Sequence, residues 1–265
     1  FCSTDGARKE SHTSGSSIGI ALFGNFEDRW DAHYLGRDSE GLIEFKKDWI
    51  IQLQKELNDR LHHKEATFVP GKYRIALDPD TAAALIDEYM WLLSGYAIAE
   101  GLSPFKRDSL GKSIAPKEIS IESVTRWEGL SHTQHFDKNG ITSQNIDIIK
   151  NGVLKNVFLS KASADRLGLI PNGQPSPVNI LISGNLPRKD LSEVQFIFTN
   201  LAGMHTIDSA TGNFALEGEW YEVQNGQISH YVKNVGLSGN IKELFTALSG
   251  KLDNTKNYGS IRTGT

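Results

Sequence analysis

The chain has almost no cysteine and no long hydrophobic run. Its single cysteine, Cys2, excludes an internal disulfide framework and fits a reducing compartment. No segment approaches the roughly 18–20 consecutive apolar residues that a membrane span needs, and no secretory signal pattern is present. We therefore expect a cytoplasmic protein with no membrane partner.

Positive charge is also scarce. The chain has 28 Lys and Arg against 32 Asp and Glu, a formal net charge of −4, with no basic cluster long enough to follow a nucleic acid. Direct binding of DNA is therefore not expected. Its 265 residues, 38% of them hydrophobic, predict one large or two modest domains whose core needs no disulfide or metal.

Glycine, by contrast, is plentiful and is often preceded by asparagine. The Asn-Gly pairs lie at 139–140, 151–152, 172–173 and 225–226. Such pairs favour tight hairpin turns, because both residues tolerate positive φ. Where apolar runs flank them, they predict that residues 140–240 consist mostly of antiparallel strands.

Apolar residues recur with helical periodicity in a few places. The predicted helices are 42–61, 80–99, 240–248 and a single turn at 162–167. The helix at 80–99 follows Asp78-Pro79, so that Asp78 or Asp80 can act as its N-cap. The chain thus reads as an α+β protein, with a lobe boundary in the polar segment 61–70.

The segment 71–95 combines a short apolar strand at 73–77 with this helix, which carries Asp87 and Glu88 near its middle. A metallopeptidase keeps its ligands and general base on such a helix. Neighbours on a helix, however, point about 100° apart. The pair is therefore also compatible with ordinary solvated carboxylates.

The histidines offer little support for a metal site. His132 and His135 have an H-x-x-H spacing, but they lie in a polar stretch, and His205 lies in a strand or turn. His62 and His63 follow a helix end, where imidazolium suits the negative pole of the helix dipole. No H-E-x-x-H motif is present. The residues alone thus define no active site.

Short blocks rich in Gly, Asn and Asp occur along most of the chain, at 70–79, 110–114, 136–142, 149–154, 202–203, 208–214, 223–228 and 237–240. In order and spacing they resemble the TldD/PmbA (TldE) family of peptide-processing metalloproteases, also described as modulators of DNA gyrase. The resemblance implies an α/β N-terminal lobe followed by a β-rich C-terminal lobe of antiparallel strands with a few helices. Residues 1–65 correspond to the final hairpin and helix of the first lobe, and residues 66–265 to the second. The missing initiator Met agrees with a piece of a longer protein.

The family has two kinds of subunit. The TldD kind carries an H-E-x-x-x-H zinc motif on the helix after the strand, with a further ligand from later in the chain, and the TldE/PmbA kind lacks it. The two pair around an enclosed chamber that admits extended peptides. Here Asp87 stands at the first histidine, Glu88 matches the glutamate and Leu92 replaces the second histidine, while the spacing to Gly95 is shortened by one residue. The segment 203–214 also has no cysteine to act as a ligand.

The resemblance therefore implies a TldE/PmbA-like subunit with no cofactor of its own. Zinc is expected in a TldD-type partner, and the other expected partners are a second copy of the chain and an unfolded or extended peptide. One alternative is a self-sufficient metal-dependent peptidase that uses Asp87 or Glu88 with His132, His135 or His205. Another is a homodimeric peptide-binding module.

Overall fold

The computed structural model describes residues 1–4, 6–39, 41–66, 68–127, 132–251, 257–258 and 261–263. This part of the chain forms three β-sheets with helices packed on them, which confirms the predicted α+β class. The helices are α1 (Lys47–Leu61), α2 (Pro79–Leu92), α3 (Gly95–Ala99), α4 (Lys161–Leu167) and α5 (Ile241–Thr246). The strands are β1 (Ser16–Phe26), β2 (Arg29–Ser39), β3 (Ile75–Leu77), β4 (Ile119–Val124), β5 (Ile146–Lys150), β6 (Val153–Leu154), β7 (Asn179–Gly184), β8 (Phe196–Ala202), β9 (Asn213–Gln224), β10 (Gln227–Asn240), β11 (Asn257–Tyr258) and β12 (Ile261–Thr263).

The N-terminal region is a two-stranded ribbon, β1–β2, with α1 packed on one of its faces. Leu53, Leu57 and Leu61 recur at fourth positions of α1 and are buried. The helix begins at Lys47, later than the predicted start at residue 42. Leu42 is 98% exposed, so its apolar side chain has no surface to pack against and does not extend the helix.

The second sheet has the strand order β10-β9-β8-β3, in which only β3 and β8 run parallel. Asn225 and Gly226 join β9 to β10 with positive φ angles of 52° and 72°. The hairpin predicted at this Asn-Gly pair is therefore confirmed. At the opposite edge of the sheet, the strand β3 is followed directly by the helix α2.

The third sheet has the order β11-β12-β7-β4-β5-β6, with β12 parallel to β7 and the other pairs antiparallel. Asn151 and Gly152 form the turn between β5 and β6, with φ angles of 49° and 77°. This second predicted hairpin is also confirmed. The pair at 139–140 lies in a loop closed by an isolated bridge between Phe136 and Thr142.

The core lies around α2, which contacts β3 and β8 of the second sheet and β12 of the third. Its largest fully buried side chains include Tyr89, Met90, Leu93, Phe158 and Phe198. No helix within the described ranges combines the length and the apolar character needed to cross a bilayer.

The helix predicted at 80–99 is interrupted after Leu92. The backbone N–H of Gly95 donates to the carbonyl of Phe158 at 2.7 Å, and Phe158 N–H donates to the carbonyl of Leu93 at 3.1 Å. These bonds take up backbone groups that a continuous helix would use, so the chain turns before α3 begins. A distant segment thus decides where α2 ends.

Two of the shorter helices match their predictions more closely. The helix α5 follows Asn240, whose side chain caps it by accepting from Lys242 N–H at 3.0 Å. It ends at Thr246, before the predicted residue 248. The turn predicted at 162–167 is confirmed as α4, which Ser160 caps.

Candidate functional site

The strand β3, the cap residue Asp78 and the helix α2 position the candidate site. The Asp78 side chain accepts from the backbone N–H of Thr81 at 2.8 Å, and Pro79 occupies the first helical position. A proline there costs no hydrogen bond, because that N–H has no partner within the helix. The local sequence therefore explains why the helix starts at this point.

One side of α2 faces the core and the other faces outward. The buried residues include Leu85, Ile86, Tyr89 and Leu92. Ala84, Asp87 and Trp91 are exposed, and Glu88 is half-buried beside them. We call Ala84, Asp87, Glu88 and Trp91 the open face of α2. Their spacing of three and four residues places them on neighbouring turns.

Leu92 does not belong to this open face. It is 3% exposed and packs within the hydrophobic core. Five residues along a regular α-helix correspond to a rotation of about 140°, so Asp87 and Leu92 point to different sides. The two positions that match the family's histidines therefore do not converge. Trp91 was not among the candidate residues of the sequence, yet it lies on the same face of α2 as Asp87. The i, i+4 spacing of the two residues could have predicted this shared face.

The surroundings of the two carboxylates disfavour their charged forms. Partial desolvation raises the pKa of Asp87 above its ordinary value, although the residue is exposed, and nearby His132 opposes the rise. Desolvation and the negative charge of Asp87 raise the pKa of Glu88, and His205 opposes this. A different histidine thus lowers the pKa of each carboxylate through its charge.

These histidines come from separate parts of the chain. His132 lies in the loop after β4, and His205 lies in the short helical turn Met204–Thr206 after β8. His135 influences neither carboxylate pKa. Of the three histidines singled out in the sequence, two therefore act electrostatically on the carboxylates of α2.

The donor set does not fit a catalytic zinc. Such a site needs three converging protein ligands and an open position for water. Among the residues that the structure describes, no group of three or more His, Cys, Asp or Glu side chains could hold a metal ion. The open face supplies two adjacent carboxylates, and His132 and His205 act electrostatically on different members of the pair.

His62 and His63 lie at the C-terminal end of α1, where their rings form hydrogen bonds with its last turn. Their Nδ1–H groups donate to the carbonyls of Asn58 and Arg60 at 2.8 and 2.9 Å. These bonds satisfy carbonyls of the last turn. The predicted position of both histidines at a helix end is confirmed.

Comparison with known sequences identifies relatives of this chain. Residues 70–265 match the family described as the PmbA/TldA metallopeptidase C-terminal domain. The chain is similar to the metalloprotease PmbA of Escherichia coli O157:H7, with 32% identity over 149 residues, which is 54% of this chain and 33% of that protein. It is also similar to the zinc metalloprotease TldD homolog of Saccharolobus solfataricus, with 23% identity over 218 residues, 75% of this chain and 47% of that protein. The chain thus spans about a third to a half of the curated relatives it matches.

Two solved structures have a similar fold. A Thermotoga maritima protein described as a modulator of a DNA gyrase has a TM-score of 0.85 and 22% identity, covering 98% of this chain and 62% of that one. TldE from Thermococcus kodakarensis has a TM-score of 0.72 and 15% identity, covering 94% of this chain and 60% of that one. At these identities the likeness establishes the fold.

Proposed function

We propose, since this chain belongs to the PmbA/TldD metallopeptidase family, that it is the non-metallated subunit of a peptide-processing metalloprotease. In this role it completes a chamber, helps to bind an extended peptide and pairs with a TldD-type subunit that holds the zinc. Residues 1–65 are then the end of an N-terminal lobe, and residues 66–265 are the C-terminal domain. The assembly works in the cytoplasm.

The observation that carries this proposal is the geometry of α2. Asp87 lies on the open face, whereas Leu92 is buried in the core and has no ligand atom. A glutamate acts as general base in a metallopeptidase by taking a proton from a water that the metal polarises. Without converging imidazole ligands, Glu88 has no such water to act on. The open face thus retains the glutamate of the family motif, Glu88, but Asp87 and Leu92 stand in place of the two histidines that would bind the metal.

Two further observations support the partners that we propose. The similarity of fold to a protein named TldE supports a TldD-type chain as the metal-holding subunit. Within the described residues, β10 is the last strand of its sheet, although Lys64 pairs with its edge by donating from its backbone N–H to the carbonyl of Tyr231 at 2.9 Å. An edge strand directs the N–H and C=O groups of alternate residues away from its neighbour, where an extended peptide can pair with them.

The test is to measure zinc content and the cleavage of casein by the purified chain, alone and after mixing with a TldD-type subunit. We expect cleavage only in the mixture and zinc only in the partner. A matched control is Glu88→Gln, which should leave the activity of the mixture unchanged. Stoichiometric zinc together with cleavage by the chain alone would overturn the proposal.

A second candidate function is a self-sufficient metal-dependent peptidase. The electrostatic influence of His132 on Asp87 and of His205 on Glu88 favours it, although no three of these side chains converge in the described part of the chain. In that case the chain alone cleaves casein, and Glu88→Gln or His205→Ala abolishes the activity. The two functions therefore predict opposite results for the same glutamate variant.

A further inference from the structure

Three side chains that can carry chemistry meet near the turn of the β9–β10 hairpin. Ser229 Oγ lies 3.0 Å from His230 Nδ1, and His230 Nε2 lies 3.5 Å from Glu222 Oε2. None of these residues belongs to the open face of α2. The hairpin therefore places a hydroxyl, an imidazole and a carboxylate in series, at a separate position on the chain.

A β-bulge brings Ser229 and His230 together. Successive side chains on a regular strand point to opposite faces of a sheet, so that neighbours in sequence do not normally meet. The pairing of β10 with β9 shifts between residues 228 and 231, which leaves residues 229 and 230 both opposite Glu222. Bulges re-aim side chains in this way and are frequent next to active sites. The irregular pairing thus explains how adjacent residues contact each other here.

The exposure of the three side chains increases from the carboxylate to the hydroxyl. The side chains of Glu222 and His230 are 6% and 10% exposed, whereas Ser229 is open to solvent. A buried carboxylate beside a histidine holds the ring in one tautomer and stabilises its protonated form. With the ring proton on Nε2, toward Glu222, the Nδ1 atom can accept the hydroxyl proton of Ser229.

The contact between His230 and Glu222 is longer than a well-aligned hydrogen bond. Within the described part of the chain, the buried Nε2 atom has no hydrogen-bond partner, and Glu222 is its neighbour at ion-pair distance. Such contacts are often long in a protein without substrate and tighten when substrate binds. The arrangement is therefore that of a nucleophile, a base and an orienting carboxylate before a reaction.

We propose that Ser229 is an activated nucleophile that takes acyl groups from activated esters, with His230 as its general base and Glu222 as a positioning residue. Ser229 Oγ attacks the carbonyl carbon while its proton passes to His230 Nδ1. The bond to the leaving alcohol breaks, and the alcohol takes that proton. A water molecule, deprotonated by the same nitrogen, then hydrolyses the acyl-serine. The ester and water thus become a carboxylic acid and an alcohol, and the serine is restored.

An alkyl fluorophosphonate tests the nucleophile of the intact chain directly. A bond forms between Oγ and phosphorus while fluoride leaves and the hydroxyl proton passes to the base. We expect Ser229 to be labelled at least about 100-fold faster than Ser238, since a positioned base contributes about 10²–10⁴-fold. Ser238 is the matched control, because it is an exposed serine of the same strand within the regular pairing. Peptide mass spectrometry identifies both adducts and follows their formation.

Variants assign the roles of the three residues. Ser229→Ala should remove the adduct, and His230→Gln should slow its formation about 100-fold or more. Glu222→Gln keeps the size of the side chain and loses its charge, whereas Glu222→Asp keeps the charge. We expect the Asp variant to be labelled faster than the Gln variant, whereas a residue needed only for packing would give the opposite order. Circular dichroism checks that every variant is folded.

Hydrolysis of 4-nitrophenyl acetate gives a second readout, which should fall in Ser229→Ala and should not respond to EDTA, because no step involves a metal. Labelling of Ser229 no faster than that of Ser238 overturns the proposal, and so does labelling that His230→Gln leaves unchanged. Casein cleavage by the mixture with a TldD-type subunit should be the same for Ser229→Ala and the unmodified chain. The esterase site and the proposed function can therefore fail independently.

Discussion

The guanidinium of Arg60 lies 3.2 Å from the carboxylate of Asp31, and this buried pair joins the end of α1 to β2. Arg60 also pairs with Glu219 of β9, and Lys233 of β10 donates to Asp31 at 2.6 Å. All four side chains are at most 18% exposed. Burial opposes the ionisation of Asp31, but the hydrogen bonds from Lys233 and Arg60 lower its pKa. These ion pairs therefore connect β2 and α1 of the N-terminal region to β9 and β10 of the second sheet.

Replacing Arg60 by Leu should destabilise the chain strongly. Without Arg60, the two buried carboxylates of Asp31 and Glu219 share the single ammonium of Lys233, and removing one member of a buried ion pair typically costs about 3–5 kcal/mol. Urea denaturation measures the loss. The control is Lys161→Leu, because Lys161 and Asp165 form a pair that is 63% and 62% exposed, and such pairs contribute about 0–1 kcal/mol. Equal losses for the two variants would contradict this account of the network.

Gly95 lies close to residues 158–159, so we expect an added methyl group to destabilise the chain at Gly95 but not at the open position Gly236. A Cβ atom on Gly95 would lie 2.6 Å from Leu159 Cδ2 and 2.7 Å from the Phe158 carbonyl. Gly95→Ala should therefore cost about 1–3 kcal/mol through overpacking. Gly236→Ala is the control, since its Cβ would have nothing within 4 Å, and we expect a change within about 0.5 kcal/mol. Thermal and urea unfolding of both variants measure the two changes in the free energy of unfolding, and equal changes would contradict this prediction.

The rotation of side chains around α2 predicts which histidine pair can bind zinc. Asp87→His with Trp91→His creates an H-E-x-x-H sequence on the open face, with the two imidazoles on neighbouring turns. Asp87→His with Leu92→His follows the family spacing instead, but it places one imidazole in the core. We expect the first double variant to bind zinc at least about tenfold more tightly, as measured by calorimetric titration. Tighter binding by the second would show that α2 is irregular near its end.

The raised pKa of Glu88 predicts a pH-dependent gain in stability on its removal. Desolvation and Asp87 disfavour the charged form in the folded chain, so stability is greatest when Glu88 is protonated and is lost as the pH rises through its raised pKa. Glu88→Gln should therefore increase the free energy of unfolding at neutral pH. The gain should disappear below the ordinary value of 4.5. The control is Glu44→Gln, at an exposed position outside the helices, for which urea midpoints should change little at either pH.

Local signals in the sequence predicted many elements of the fold. The hairpins at 151–152 and 225–226, the cap at Asp78 and the helix α4 all depend on residues within a few positions of one another. Boundaries were less predictable. Leu42 continued a helical pattern without a surface to pack on, and the continuous pattern through residues 80–99 gave no sign of the bonds from the Phe158 segment.

The candidate site was predictable only in part. The sequence identified Asp87 and Glu88, and it placed Leu92 where a histidine stands in the family. It did not indicate that Leu92 lies in the core, that Trp91 shares the open face, or that His132 and His205 influence the pKa of the two carboxylates. These relations depend on which side of α2 is buried and on loops that reach it from other strands.

The sequence by itself determined the fold class, the turns, the start of α2 and the absence of histidine from the two motif positions, because each of these follows from residue identity and near neighbours. Tertiary structure decided where α2 ends, which side chains share its open face, and how buried charges join Arg60 to residues more than a hundred positions away. These depend on contacts between segments distant in the chain, and no local preference encodes which surfaces such segments cover.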